Sequence, residues 1–179
     1  MEARHLILMI IDACGNKIES KTKIQKIAYF FSIKNNENYQ YNPYYYGPYS
    51  RIIEEGLSEL TGAGFVEVNT CSFGTEDDKG FEKKRYDYAI TNSGKELLDY
   101  LKSAHKKDYD KIYEISNKLK DANYLDLSIA AKSYYILSET EQNITHEQIS
   151  EKAGKFGWEI YRNDISSAIG ILQNLEILY

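Results

Sequence analysis

Two strand-like segments separated by a polar loop constrain the fold of this 179-residue chain most strongly. Residues 65–73 are rich in Val, Thr and Phe, and in 83–91 Tyr86, Tyr88 and Ile90 alternate with other residues, so together they predict a β-hairpin. Helical patterns surround this hairpin at residues 3–13, from Thr22, at 49–61 and from Ser93 onward. Three short helices with a hairpin packed against them are the arrangement of a winged-helix domain, so the predicted fold class is α+β, mostly α.

The second helical pattern carries apolar side chains on both of its faces. One face holds Ile24, Ile27, Ala28 and Phe31 at the i, i+3, i+4, i+7 spacing. The opposite face holds Lys26, Tyr29, Phe30 and Ile33. A helix that is apolar on both sides is either enclosed in the core or exposes an adhesive patch, and enclosure is the favoured interpretation.

Local signals predict where several elements begin. A Ser or Thr followed three residues later by Gln or Glu is the pattern of a capping box at a helix start. Three such pairs occur, namely Thr22 with Gln25, Ser93 with Glu96, and Thr145 with Gln148. Tyr44–Tyr46 predicts a short strand, and Gly47-Pro48 predicts a turn into the third helix.

The remaining chain is predicted to be helical and acidic. Helical patterns occur at residues 109–122, at 125–138, from Thr145 and at 163–174, and residues 175–179 predict a terminal strand. Their order loosely repeats that of the first part, so this region is itself predicted to resemble a helix-turn-helix. The predicted division is a winged-helix domain over residues 1–107 and an acidic helical domain over 108–179.

Charge is unevenly distributed along the chain. The chain has 22 basic and 27 acidic residues, a formal net charge of −5. Residues 1–107 hold 15 of each, and residues 108–179 hold 7 basic and 12 acidic residues. Dedicated nucleic-acid modules usually carry a basic surplus, so a DNA surface here would have to be a local patch.

Several classes of protein find no support in the sequence. The longest apolar run, Leu6 to Ile11, is far shorter than a membrane span, and no secretory leader is recognisable. With only two cysteines, the expected location is the cytoplasm. The three histidines lack ligand spacing, and no nucleophile or nucleotide motif occurs. We therefore expect no enzymatic activity, no metal and no cofactor.

Binding of duplex DNA is the first functional hypothesis. The outward positions of the third helix would be one arginine and three glutamates besides Ser58, which is unfavourable beside phosphates. The better candidates for phosphate contacts are cations of the second helix, the third helix and the wing. These are Lys21, Lys23, Lys26, Arg51, Lys83, Lys84 and Arg85.

Tyrosine is the most unusual feature of the composition. The chain has 17 tyrosines, and six of them lie between Tyr39 and Tyr49. Tyrosine suits half-buried surfaces and interfaces, so the cluster indicates either ordinary aromatic packing, the favoured interpretation, or a recognition surface. The candidate contacts with a partner protein are Tyr29, Phe30, Ile33, Tyr44, Tyr46 and Tyr49.

Two stretches resemble a known family. Lys23-Ile24-Gln25-Lys26-Ile27-Ala28-Tyr29-Phe30, followed by Tyr44-Tyr45-Tyr46-Gly47-Pro48-Tyr49-Ser50, resembles the YwgA-like group and is similar to the Panacea domain found in antitoxins. Arg85-Tyr86-Asp87-Tyr88-Ala89-Ile90-Thr91, with Gly94 and Leu98, is similar to the wing edge of regulators of the PadR or MarR kind.

This resemblance implies a winged-helix fold without known catalysis and leaves two functions open. The first is a DNA-binding transcriptional regulator, expected to be a homodimer. The alternative is a protein-interaction module, antitoxin-like, that neutralises a partner protein such as a toxin.

Overall fold

The computed structural model describes residues 1–76, 82–140 and 145–178, and within them the protein is α+β and mostly helical. The helices are α1 (Ala3–Ala13), α2 (Lys21–Asn35), α3 (Arg51–Gly62), α4 (Asn92–Ala104), α5 (Lys106–Leu119), α6 (Tyr124–Ser138), α7 (His146–Gly154) and α8 (Arg162–Asn174). The strands are β1 (Lys17–Glu19), β2 (Tyr41–Asn42), β3 (Tyr49–Ser50), β4 (Val66–Glu76) and β5 (Glu82–Ile90). None of the helices in these described ranges has the length and apolar character of a membrane span.

The predicted hairpin is confirmed as the antiparallel pair β4 and β5, with Val66 opposite Ile90. Residues 77–81 of the predicted loop lie outside the described residues. The strand β1 pairs with the other edge of β5, with Ile18 opposite Tyr88, which gives the strand order β1-β5-β4. The sequence does not predict β1, because a three-residue strand is too short to show a periodicity.

Helix α2 is enclosed between other helices, as its two apolar faces predicted. It packs against α1 and α5, and α6 covers it as well. Phe30 is completely buried and Tyr29 nearly so. Helix α1 is also apolar nearly all round, and its residues 6–11 are fully buried beside α2.

The predicted boundary between residues 107 and 108 falls inside α5. A single cluster of buried side chains extends across it, from Leu6 in α1 to Leu175 after α8. A smaller cluster around Trp158 joins α6, α7 and α8. The two predicted segments therefore share a core, and whether either folds by itself stays a prediction.

Two of the three predicted capping boxes are wrong. The side chain of Ser20, not Thr22, accepts the hydrogen bond from the Lys23 amide and begins α2. Helix α4 is capped by Thr91, whose hydroxyl accepts from the Gly94 amide. In both cases the capping residue is a Ser or Thr that lies two positions before the predicted one. Contacts of the preceding strand with the rest of the fold determine which hydroxyl caps the helix. The third box, Thr145 with Gln148, is confirmed.

Two predicted strands are also wrong. Tyr44–Tyr46 lies in a turn, closed by mutual backbone hydrogen bonds between Tyr44 and Gly47, and the strands β2 and β3 flank it instead. Residues 175–178 turn back onto the end of α8, where the amide of Ile177 donates to the carbonyl of Leu172. The burial of Leu175 in the core explains its apolar character without a strand.

Candidate functional site

Two adjoining cavities open at the start of α2. The first, of about 560 Å³, lies between α2, the turn at Tyr44 and the start of α3. The second, of about 500 Å³, lies between α2, the β4–β5 hairpin and the start of α6. Lys21, Thr22 and Tyr46 line both cavities, so the two adjoin, and we call them together the aromatic groove.

The aromatic walls of this groove come from three distant parts of the chain. Tyr44, Tyr46 and Tyr49 line the first cavity. The second cavity adds Phe73, Tyr86 and Tyr88 from the hairpin, and Tyr124 from α6. The predicted partner residues Tyr44, Tyr46 and Tyr49 are thus brought together in one site.

The tyrosine turn, residues 44–47, has a backbone that requires glycine at its last position. Gly47 has a φ of +92°, in the left-handed region. A Cβ atom at this position would lie 2.9 Å from Cγ of Lys132. The turn therefore lies directly on α6, and a larger residue fits there only if the Lys132 side chain, the helix or the turn shifts.

Side chains of the C-terminal region hold the tyrosine turn from behind. The Ser128 hydroxyl donates to the carbonyl of Tyr46 at 2.6 Å, and the indole Nε1 of Trp158 donates to the carbonyl of Tyr44 at 2.7 Å. The tyrosine rings consequently face outward, with Tyr44 64%, Tyr45 76% and Tyr46 41% exposed. The ring of Tyr46 also lies 4.9 Å from that of Tyr45, centroid to centroid.

Gln25 joins the starts of α2 and α3 at the floor of the first cavity. Its amide Nε2 donates to the Ser50 carbonyl at 2.8 Å, and its Oε1 accepts from the Ser50 amide at 3.0 Å. Both residues are buried. Ser50 in turn caps α3 by accepting from the Ile53 amide at 3.2 Å. This reciprocal pair sets the distance between the two helix starts and therefore the width of the cavity.

Lys26 lies beneath the groove and not on its surface. Its side chain is 1% exposed, and the ammonium donates to the carbonyl of Pro48 at 2.7 Å. Burial, together with the nearby charge of Lys132, lowers the pKa of Lys26 to about 7. The prediction that Lys26 contacts DNA phosphates is contradicted because no phosphate can reach it in this fold.

Lys23 is also buried, because its ammonium donates to the carbonyl of Lys120 at the end of α5. Its side chain is therefore directed into the fold, and the prediction of a phosphate contact is contradicted in this case too. The sequence offered no sign of this partner, which lies 97 positions further along the chain.

The other predicted cations belong to the elements around the groove, and Lys21, Lys84 and Arg85 have partners within the protein. Lys21 forms an ion pair with Glu54 at 2.6 Å, and this bond lowers the pKa of the Glu54 carboxyl. Arg85 bonds Asp87 at 2.7 Å and lies 3.5 Å from Glu19. Arg51 and Lys84 are exposed lining residues of the groove. Lys83 belongs to β5, but its side chain lies outside the described residues.

Three residues that were predicted to contact a partner protein are covered by the rest of the chain. Tyr29 and Phe30 are buried, and Ile33 is half-buried against the core. Tyr29 packs edge-on against Tyr41 and lies near Tyr134 of α6, with ring centroids 4.9 and 6.4 Å away. The prediction that these side chains bind a partner is therefore corrected: the C-terminal helices of the same chain already cover them.

Four aromatic lining residues were not predicted as site residues, namely Phe73, Tyr86, Tyr88 and Tyr124. The alternation of Tyr86 and Tyr88 predicted the strand but not the surface that these residues line. Tyr124 follows α5, and only the packing of α6 on α2 brings it to the groove. No local signal in the sequence could have placed it there.

Searches for known relatives and for a metal centre add no assignment. Within the described ranges, no three His, Cys, Asp or Glu side chains converge as metal ligands would. No model of a known protein family matches the chain, and no curated protein matches its sequence.

Proposed function

We propose that the protein is a non-catalytic binding module that docks a partner protein in the aromatic groove. The observation that carries the proposal is the tyrosine turn, because three adjacent tyrosines are held outward by hydrogen bonds from Ser128 and Trp158. Large aromatic side chains on a fixed backbone lose little entropy on binding and are common anchors of protein interfaces.

The scaffold of this module is proposed to be a winged-helix domain. The element order α1-β1-α2-β2-β3-α3-β4-β5, with the strand order β1-β5-β4 in the larger sheet, supports this assignment. In this assignment β4 and β5 form the wing, and the C-terminal helices buttress the tyrosine turn. The resemblance to the YwgA-like group and to the Panacea domain agrees with the proposal and remains a resemblance.

The charges near α3 favour a protein over duplex DNA as the partner. The exposed side of α3 carries Glu55 and Glu59, and Glu54 lies at its start. Carboxylates at a recognition helix repel phosphates and accept hydrogen bonds usefully only from cytosine amino groups. In addition, Lys23 and Lys26 are buried and cannot contribute to phosphate binding.

A pair of matched tyrosine variants tests the proposal. Tyr44 is 64% exposed and lines the first cavity, and Tyr100 is 68% exposed on α4, outside the groove. Tagged wild-type protein and the Tyr100→Ala variant should retain a stoichiometric partner from native cell extract. The Tyr44→Ala variant should retain at least about tenfold less, as expected for an interface anchor. Equal recovery by the two variants, or no stoichiometric partner with any of the proteins, would contradict the proposal.

A DNA-binding regulator is the second candidate, favoured by the element order and by the exposure of Arg51 and Lys84. We expect such a regulator to be a homodimer, which light scattering can test. Replacing Lys83, Lys84 and Arg85 together by Ala should weaken affinity for duplex DNA and reduce the slope of log affinity against log salt by about 2 to 3. An unchanged slope in gel-shift titrations would exclude the wing as the phosphate contact.

A further inference from the structure

The aromatic groove differs in charge from the chain as a whole. Among the described residues that line its two cavities, four are accessible cations and one is an anion, although the chain has a net charge of −5. The anion is Glu54, and the cations are Lys21, Arg51, Lys84 and Arg85. Lys26 also lines the first cavity, but it is buried, and its pKa of about 7 leaves it only partly charged. A locally positive groove on an acidic protein is a charge pattern that selects partners by their charge.

Most of these cations already have a partner within the protein, and Lys84 is among them. Lys21 pairs with Glu54, and Arg85 pairs with Asp87 and Glu19. Lys21, Glu54 and Glu19 are substantially exposed, and exposed ion pairs are worth only about 0–1 kcal/mol, so a partner carboxylate can replace one member at little cost. Among the described residues no ion pair of Arg51 is found.

Cations and aromatic rings line both cavities of the groove. Arg51 lines the first cavity, Lys84 and Arg85 line the second, and Lys21 lines both. Tyr46 also lines both cavities, and Tyr86 lines the second. An occupant of both cavities therefore meets a cation and an aromatic ring in each, which suits a segment that carries both carboxylates and apolar side chains.

We infer that the groove binds an extended acidic segment of the partner protein, with carboxylates facing Arg51 and Lys84 and apolar side chains against Tyr46 and Tyr86. This inference rests on the proposed function and adds the chemistry of the partner. Charge complementarity with the lining cations is the reason for choosing an acidic segment. A nucleic acid strand carries a negative charge at every nucleotide and would also bring phosphates to Glu54, Glu19 and the acidic side of α3, whereas a peptide can place its few carboxylates only at the cations.

Labelled probes of defined chemistry test the inference by fluorescence anisotropy with the full chain. The first probe is a short peptide that alternates Glu with Phe and Leu, and the second has Gln in place of every Glu. The third is an oligothymidine of similar length. We expect the Glu peptide to bind at least about tenfold more tightly than the Gln peptide, and its affinity to fall with added salt.

Charge reversal of the exposed cations should remove this preference. The variant Arg51→Glu with Lys84→Glu should lose at least about tenfold in affinity for the Glu peptide and become indifferent to Glu against Gln. Lys107→Glu is the matched control, because Lys107 is exposed on α5 outside the groove, and it should bind like the wild type. Arg51→Gln with Lys84→Gln tests the same charges if the reversed variant does not fold.

The outcomes separate the inference from the proposed function. Equal binding of the two peptides, or no binding of the Glu peptide, overturns the acidic segment. The docking site itself survives if Tyr44→Ala still loses the partner from cell extract. Tighter binding of the oligothymidine than of the Glu peptide also overturns the inference, in favour of a single-stranded nucleic acid stacked on the tyrosines.

Discussion

The face of α2 that carries Tyr29 and Phe30 and the tyrosine turn are both rich in aromatic residues, but they lie in opposite environments. Tyr29 and Phe30 of α2 are buried, whereas Tyr44 and Tyr45 of the turn are mostly exposed. The same helix, α6, explains both results, since it covers the face of α2 and supports the turn from behind. Whether each of these two aromatic clusters is buried or exposed therefore depends on which of its sides packs against α6.

The sharpest test of this contrast replaces one aromatic ring in each region by alanine. Phe30→Ala should lower the free energy of unfolding by about 3–5 kcal/mol, because it leaves a cavity in the main core. Tyr45→Ala should lower it by less than about 0.5 kcal/mol, because its ring is already in water. Denaturant unfolding of both variants measures the difference. Similar losses would mean that the two regions do not differ as described.

This contrast also shows how far the sequence could predict the molecule. Periodicity identified α1, α2, α3 and the hairpin because each carries its own apolar pattern. The capping hydroxyls Ser20 and Thr91 were missed because several hydroxyl residues stand near each helix start, and only the surrounding fold selects one. Local sequence patterns predict that a helix or strand is present, whereas the choice between neighbouring capping residues depends on contacts between elements.

The candidate site was predicted in its parts and not as a whole. The cations Lys21, Arg51, Lys84 and Arg85 were proposed for DNA, and the tyrosines of the turn for a protein, yet all of them line one groove. The sequence could not indicate this, because the two helix starts are joined by the long-range bonds between Gln25 and Ser50. Nor could it show that Lys23 donates to the carbonyl of Lys120.

Gly47 tests whether the turn depends on its close contact with α6. In Gly47→Ala, the left-handed φ of +92° and the approach of Cβ to Lys132 should together cost about 1–2 kcal/mol of stability. We also expect weaker partner binding, because the turn must move away from α6. Gly74→Ala is the control, since its φ is also left-handed but nothing lies within 4 Å of the added Cβ. Equal losses would attribute the effect to the backbone alone.

Lys26 provides a pH-dependent test of the buried side of the groove. Its pKa is lowered from 10.5 to about 7 by burial, so between these values the unfolded chain holds a proton that the folded chain has released. The resulting contribution to stability is fully present above 10.5 and is lost as the pH falls through 7. Above pH 7 the stability of the wild type should therefore rise relative to Lys26→Met, by up to about 1.4 kcal/mol per pH unit.

Denaturant unfolding at several values between pH 7 and 8.5 measures this trend, and the upper limit keeps the comparison below the titration of the tyrosines. Lys107→Met, at an exposed site on α5, should give a profile parallel to that of the wild type. If the profile of Lys26→Met is also parallel to the wild type, the ammonium of Lys26 is not desolvated as its burial indicates.

The smallest expected effect concerns the hydrogen bond by which α6 supports the turn. Ser128→Ala removes the donor to the Tyr46 carbonyl and should cost about 1 kcal/mol of stability. Ser138→Ala is a matched control on the same helix, because its hydroxyl bonds only the Tyr135 carbonyl one turn away. Both variants remove one hydroxyl from α6, but only Ser128→Ala should also weaken partner binding. Since a loss of binding by both would point to a general loosening of α6, this pair separates support of the turn from stability of the helix.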